Sequence, residues 1–525
     1  MHKVFRAAFA AALLSFAAGT ANALAADLVI GSSTEPQSID PEFSRTSNNQ
    51  TIAQHIFDRL VTLDDNLQIH PGLALSWSNS DANTWVVKLR DGVKFQDGSP
   101  FTADDVVFSL QRADKIPNSP APFTGNVSFI DKMEIVDPLT IKFTTKTPTP
   151  LFMDLAGTVY IVSKKAAETA TNADFNDGKA AIGTGPYKFV SWTPGNEVVL
   201  KANADYWGDK PAYDNVTFKL MSNAAAREAA LRSGGVDVID SVPPTDLPSL
   251  KGISDITLHS MPSANIIYLA LDTARDVSPF VVDADGKPLA SNPLKDVRVR
   301  KAMSLMINRQ LITDRIFDGA AAPAGQMVPS GIIGHSDALK PDPLDLAQAK
   351  TLLTEAGYPN GFGITIDAAS DLAGDPDTAQ ALGQLFARGG LKVNGVVTQP
   401  FNVYVGNAGK QAFSAFIFRF GTTTPSAMPG MTTVLMTYDK AAGTGSFNRM
   451  RYSNPAYDAA MRTASVEFDP KKRGDLMAKA AEIAFNDYAV LPLYFPENIW
   501  ASKKSIDYAP NVAGITLAMS AHPAK

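Results

Sequence analysis

No cysteine occurs in the 525 residues. That excludes a disulfide framework, a thiolate nucleophile, sulfur ligation beyond methionine, and lipid attachment through an N-terminal cysteine. A chain of this length can bury a sizeable core without covalent staples. Histidine is nearly as scarce: His2, His55, His70, His259, His335 and His522 are scattered, with no H-E-x-x-H pair. A metal site would have to be assembled from distant loops, and the sequence implies neither metal nor cofactor. Nucleophile and phosphate motifs are missing too: there is no G-x-S-x-G, no S-x-x-K, no G-x-x-x-x-G-K-[ST] and no G-x-G-x-x-G. The "GTGPYKF" stretch at 183–189 lacks a third glycine and leads into a strand pattern. It reads as a tight turn whose glycines supply unusual backbone angles. The paired carboxylates Asp104-Asp105 fall at a predicted helix start, where the helix dipole accounts for them. No residue stands out as catalytic, and the chain does not read as an enzyme.

Positive charge is in short supply. Lys and Arg number 47 against 53 Asp and Glu, a net charge of −6, which argues against a nucleic-acid partner and gives an anionic membrane no basic patch to attract. The apolar run from Ala7 to Ala18 falls short of the ~20 residues a spanning helix needs. Preceded by Lys3 and Arg6 and followed by Ala23-Leu24-Ala25, it has the three parts of a secretory signal over residues 1–25, with the mature protein starting at Ala26. A soluble, exported periplasmic protein that is not a lipoprotein is expected.

Helical and strand patterns alternate along the remaining chain without a low-complexity linker or a repeat, and a length near 500 residues suggests two to four units. "TWVVKLRDGVKFQDGSPFTADDVVFSLQRA" predicts two strands around Asp91-Gly92, a turn at Asp97-Gly98, and a helix capped by Thr102 with Asp105 three residues on. Ala302, Leu305, Met306, Ile312 and Ile316 recur at helical spacing up to Gly319, and Leu346, Ala349, Leu352, Leu353 and Ala356 repeat the pattern before Gly357. In "SAFIFRFGTTTP" (414–425) strand alternation puts Phe416, Phe418 and Phe420 on one face and Arg419 on the other with Ala415 and Ile417. A cation there either reaches water or meets a buried anion.

Several stretches taken in order resemble the family 5 extracellular solute-binding proteins, the peptide/nickel group that serves bacterial ABC importers. They are "EPQSIDP" (35–41), "PGLALSW" (71–77), "LRDGVKFQDGSPFTADDVVFSL" (89–110), "GTGPYKFVSW" (183–192), "DVRVRKAMSLMIN" (296–308), "AKTLLTEAGYPNGF" (349–362), "YSNPAYD" (452–458) and "LPLYF" (491–495). The resemblance implies an α/β, two-lobed periplasmic-binding-protein fold with an extra inserted subdomain and a ligand cleft between the lobes. Lobe I would comprise residues 26–67, 184–262 and 489–525, the inserted subdomain 68–183, and lobe II 263–488. Chain crossings would fall near "MPSANIIYLAL" and "YAVLPLY".

The implied function is capture of a peptide-class or peptide-like solute by a monomer that delivers it to the ABC permease subunits of the inner membrane. An opine, sugar phosphate or oligosaccharide is the alternative solute, and a chaperone-like or chemosensory binder the alternative role. Peptide-binding members carry in lobe II a tryptophan, then an aspartate that pairs with the peptide ammonium, then a proline. Phe418 stands at the tryptophan position, Gly421 or Thr422 at the aspartate position, and Pro425 keeps the proline. No Asp or Glu occurs between Gln399 and Tyr438. With the acid missing, Arg419 is expected either to bind an anionic group of the solute, with Phe418 or Phe420 on its apolar part, or to pair with a structural carboxylate in lobe II. Ser33 and Thr34 at the edge of lobe I, Asn265 and Tyr268 near the first crossing, and Tyr494 near the second complete the candidates.

Overall fold

A computed structural model describes residues 27–524 except Ala284, Ala373 and Thr423, so the signal segment and the expected start at Ala26 lie outside the described residues. Strand β1 (Asp27–Ser32) leads into helix α1 (Ser47–Ile56). An antiparallel sheet follows, built from β2 (Ala74–Asp81), β3 (Thr84–Leu89), β4 (Ile130–Asp137) and β5 (Thr140–Thr145) in the order β2-β3-β5-β4. Helix α2 (Ala103–Arg112) sits between β3 and β4 in the chain, and the amide of Thr102 donates to the Asp105 carboxylate at 2.9 Å, as the capping pattern predicts. Gly92 and Gly98 take the left-handed conformations their turns require. The strand expected after Gly92 shrinks to an isolated bridge between Lys94 and Pro100, because Phe95 bonds to Ser99 across the next turn and the amide of Gln96 bonds to the Gly183 carbonyl.

The chain then supplies β6 (Tyr187–Thr193), β7 (Glu197–Ala202), β8 (Asn215–Leu220), β9 (Val238–Ile239), β10 (Ile256–Pro262) and β11 (Asn265–Leu271). After helices α3 (Val297–Met306), α4 (Arg309–Ile316) and α5 (Leu346–Glu355) come β12 (Gly363–Ala369), helix α6 (Asp375–Arg388), β13 (Lys392–Gln399), β14 (Ala415–Gly421) and β15 (Leu491–Lys503). A large mixed sheet runs β12-β14-β11-β15-β9-β1-β8-β7-β6, with β13 beside β12 and β10 beside β15.

The 13-residue β15 pairs at its start with β11, Leu491 opposite Leu269, and further on with β10, from Glu497 opposite Pro262 to Lys503 opposite Ile256. Only Ser263 and Ala264 separate β10 from β11. The chain therefore passes between the two halves of the sheet at two adjacent places. The buried apolar residues divide the same way: residues 28–250 and 499–521 form one set and residues 264–495 the other, with Leu67, Ala320 and Val512 crossing over. β14 spans two clusters of the second set. Phe416 and Phe418 face one, Ala415 and Ile417 the other, as strand alternation requires.

Two local expectations change. The pattern up to Gly319 forms two helices rather than one, because Ile307 is extended and the Asn308 side chain accepts the Leu311 amide at 2.9 Å, starting a new helix. Gly183 and Gly185 do not take positive φ. Their lack of a side chain serves close approach: a Cβ on either would collide with the backbone of Ile56, whose carbonyl accepts the Gly185 amide at 2.9 Å.

Candidate functional site

A cavity of about 430 Å³ opens between the two sets of core residues. One wall comes from the start of α1 and the segments that pack on it: Arg45, Thr46 and Gln50, then Arg59, Asn126 and Thr158. The facing wall is the end of β14 and the chain beyond it, with Phe420, Gly421, Thr422, Thr424, Thr433 and Phe447. The first wall is held by isolated backbone bridges between segments distant in sequence, Arg59 to Tyr160 and Ser44 to Ala121. On the second, the Thr422 hydroxyl donates to the Ser426 carbonyl at 3.2 Å, which closes the turn after β14. Phenylalanine rings and threonine hydroxyls with two guanidinium groups suit a solute that is partly apolar and carries convergent polar groups. The volume lies within the ~300–1,000 Å³ typical of small-molecule sites.

Of the residues singled out from the sequence, Phe420 and Thr422 line this cavity, and exposed Asn265 pairs across the sheet with Gly421, which also lines it. Phe418 is 9% exposed, packs on Tyr404 and Tyr268, and lies 4.6 Å below the guanidinium of Arg449. Tyr268 and Tyr494 belong to the packed interior rather than to the cavity lining. Burial pushes both phenols above their usual range, and the Tyr494 hydroxyl hydrogen-bonds Thr378 at 3.1 Å. Ser33 is engaged elsewhere, its amide donating to Asp240 at 2.7 Å and its hydroxyl to Ser241 at 3.1 Å. Thr34 is exposed and borders a separate small notch beside Trp192.

Arg419 pairs with a structural carboxylate. Its Nη2 lies 2.5 Å from Oδ1 of Asp375, the first residue of α6. Asp375 is 1% exposed, and burial raises its pKa to about 6 although Arg419 pulls it down. Arg45 and Arg59, the cations that do line the cavity, carried no signal in the sequence: each is a lone arginine in an unremarkable segment. Among the described residues, no group of three or more His, Asp or Glu side chains could hold a metal ion. No described helix is long and apolar enough to cross a membrane.

The family model for bacterial extracellular solute-binding proteins, family 5, matches residues 68–442. The glutathione-binding protein GsiB of Salmonella typhi is 27% identical over 491 residues, covering 92% of each chain. Among solved structures, HbpA2 from Haemophilus parasuis superposes with a TM-score of 0.81 at 25% identity, covering 95% of this chain and 100% of that one. The periplasmic binding protein DppA from Helicobacter pylori, in complex with the peptide STSA, superposes with a TM-score of 0.72 at 25% identity, covering 95% of this chain and 98% of that one.

Proposed function

The chain belongs to the bacterial extracellular solute-binding proteins of family 5 and is the substrate-binding component of an ABC importer, and from that premise we propose that it captures one peptide-like solute in the cavity between Arg45 and Phe420. The observation that carries this reading is the cavity itself, about 430 Å³ with walls drawn from both halves of the molecule. The halves are the two lobes, joined where β10 meets β11 and along β15. Closing them takes only a few changed backbone angles at those strands and removes the solute from water on both sides. Among the relatives, one is named for binding glutathione and one was solved with a tetrapeptide, which supports a solute of that size and class. The protein works as a periplasmic monomer that hands its load to permease subunits of the inner membrane, and it makes or breaks no bond in doing so.

Calorimetric titration with glutathione and with the peptide STSA tests the reading. At least one of the two is expected to bind with one site per chain. Gly125 lines the cavity, and a Cβ built on it meets no atom within 4 Å. The backbone there accepts a side chain, so Gly125→Trp should place bulk at the cavity wall and weaken binding roughly tenfold or more, with the unliganded melting temperature unchanged. Full affinity in that variant would place the solute elsewhere.

A further inference from the structure

We propose that the cavity selects solutes by charge, holding a carboxylate of a net-anionic, peptide-like molecule against Arg45 and Arg59. The inference rests on the capture reading above and adds to it the chemistry of the ligand. Among the described residues the lining contains two guanidinium groups and no carboxylate, in a chain whose acids outnumber its bases by 53 to 47.

Arg59 is only 9% exposed, a degree of burial at which a guanidinium normally has an anionic partner. It makes no ion pair among the described residues. Its own contacts are weak: Nη2 is 3.5 Å from the Gln54 amide oxygen, and the guanidinium stands 5.5 Å from the Tyr160 ring centre. The adjacent acid, Asp58, feels the Arg59 charge but forms no ion pair with it, its oxygens accepting hydrogen bonds from Thr184 at 2.8 Å, Trp207 at 2.7 Å and Tyr206 at 3.3 Å. Arg45 is exposed and donates one bond, at 3.2 Å, to Asn126, which leaves most of its five N–H groups for a ligand. Behind the opposite wall Arg449 lies 5.9 Å from the Phe447 ring, a further cation without an ion pair among the described residues.

No acid on either described wall is placed to neutralise a ligand ammonium, and Thr422, Thr424 and Thr433 offer only hydroxyls. A carboxylate meets two planar cationic donors in the lining, while a ligand ammonium meets no anionic acceptor among the described lining residues.

The test titrates the wild type, Arg45→Gln and Arg59→Gln with three probes: glutathione, its dimethyl ester and the peptide STSA. Glutathione is expected to bind the wild type, the ester about 100-fold more weakly, and each arginine variant to lose about 10- to 100-fold in glutathione affinity. Arg45 is exposed, so Arg45→Gln should keep the unliganded melting temperature and decide the matter even if Arg59→Gln folds poorly. An ester that binds as well as the acid, or an undiminished Arg45→Gln, would overturn the inference. So would binding of STSA without binding of glutathione, which leaves capture standing and removes the charge selection. If neither peptide binds, the capture reading itself falls and takes this one with it.

Discussion

Unliganded Arg419→Ala should unfold about 2–4 kcal/mol more easily than the wild type at neutral pH, toward the lower end because the arginine is partly open to water. The substitution strands Asp375, whose side chain is 2% exposed, without the guanidinium that offsets its burial. The penalty should shrink in acid. Burial already raises Asp375 to about 6 from 3.8, and loss of Arg419 raises it further. The folded variant then binds a proton more tightly than the unfolded chain does, so its stability rises as pH falls through that folded value. Asp375→Asn in the same background should recover part of the loss, because a neutral amide needs no counter-ion. Thermal unfolding at pH 5 and pH 7.5 gives both numbers. A normal melting temperature together with lost solute affinity would instead make Arg419 a ligand anchor.

Acid should destabilise the protein by roughly 3 kcal/mol through His55 alone. The ring is fully buried and packs edge-on against Phe218, with centres 5.1 Å apart. One nitrogen, Nδ1, donates to the Thr51 carbonyl at 2.6 Å, and the other, Nε2, accepts the Ala518 amide at 2.9 Å. A carbonyl can only accept and an amide can only donate, so the neutral tautomer is fixed, and protonating Nε2 would set two donors against each other. Burial lowers the folded pKa to about 4 from 6.5. The unfolded chain therefore takes the proton first: stability is complete above 6.5, falls as pH drops, and levels off below 4. The difference between wild type and His55→Gln in unfolding free energy should follow that curve. A difference that does not change between pH 7 and pH 4 would show that His55 does not titrate as its surroundings require.

Local rules made much of the fold legible. Alternation placed both faces of β14 correctly, Thr102 and Asp105 marked the start of α2, and the ordered motifs from residue 35 to 495 pointed to the family that the model match at residues 68–442 shows. Long-range pairing was not legible. Nothing near Arg59 announces that it will face Phe420, and nothing near Arg419 announces Asp375, which lies 44 residues away across a helix start. Tyr268 and Tyr494 show a related limit. In an apolar strand an aromatic residue reads alike whether its face meets a cleft or a core, and only the packing of Phe418 and Phe317 against them decides it. Gly183 and Gly185 were recognisable as special, but the reason, the Ile56 backbone more than 120 residues earlier, required the structure.

Native mass spectrometry of the wild type and of Gly125→Trp, both purified from periplasmic extract without denaturation, tests solute capture most directly. Retention of a bound solute depends on the cavity and on nothing assumed about the solute's identity. The expected result is a wild type carrying one small solute per chain and a variant, equally folded, carrying markedly less of it. The same solute at the same occupancy in both proteins would contradict it.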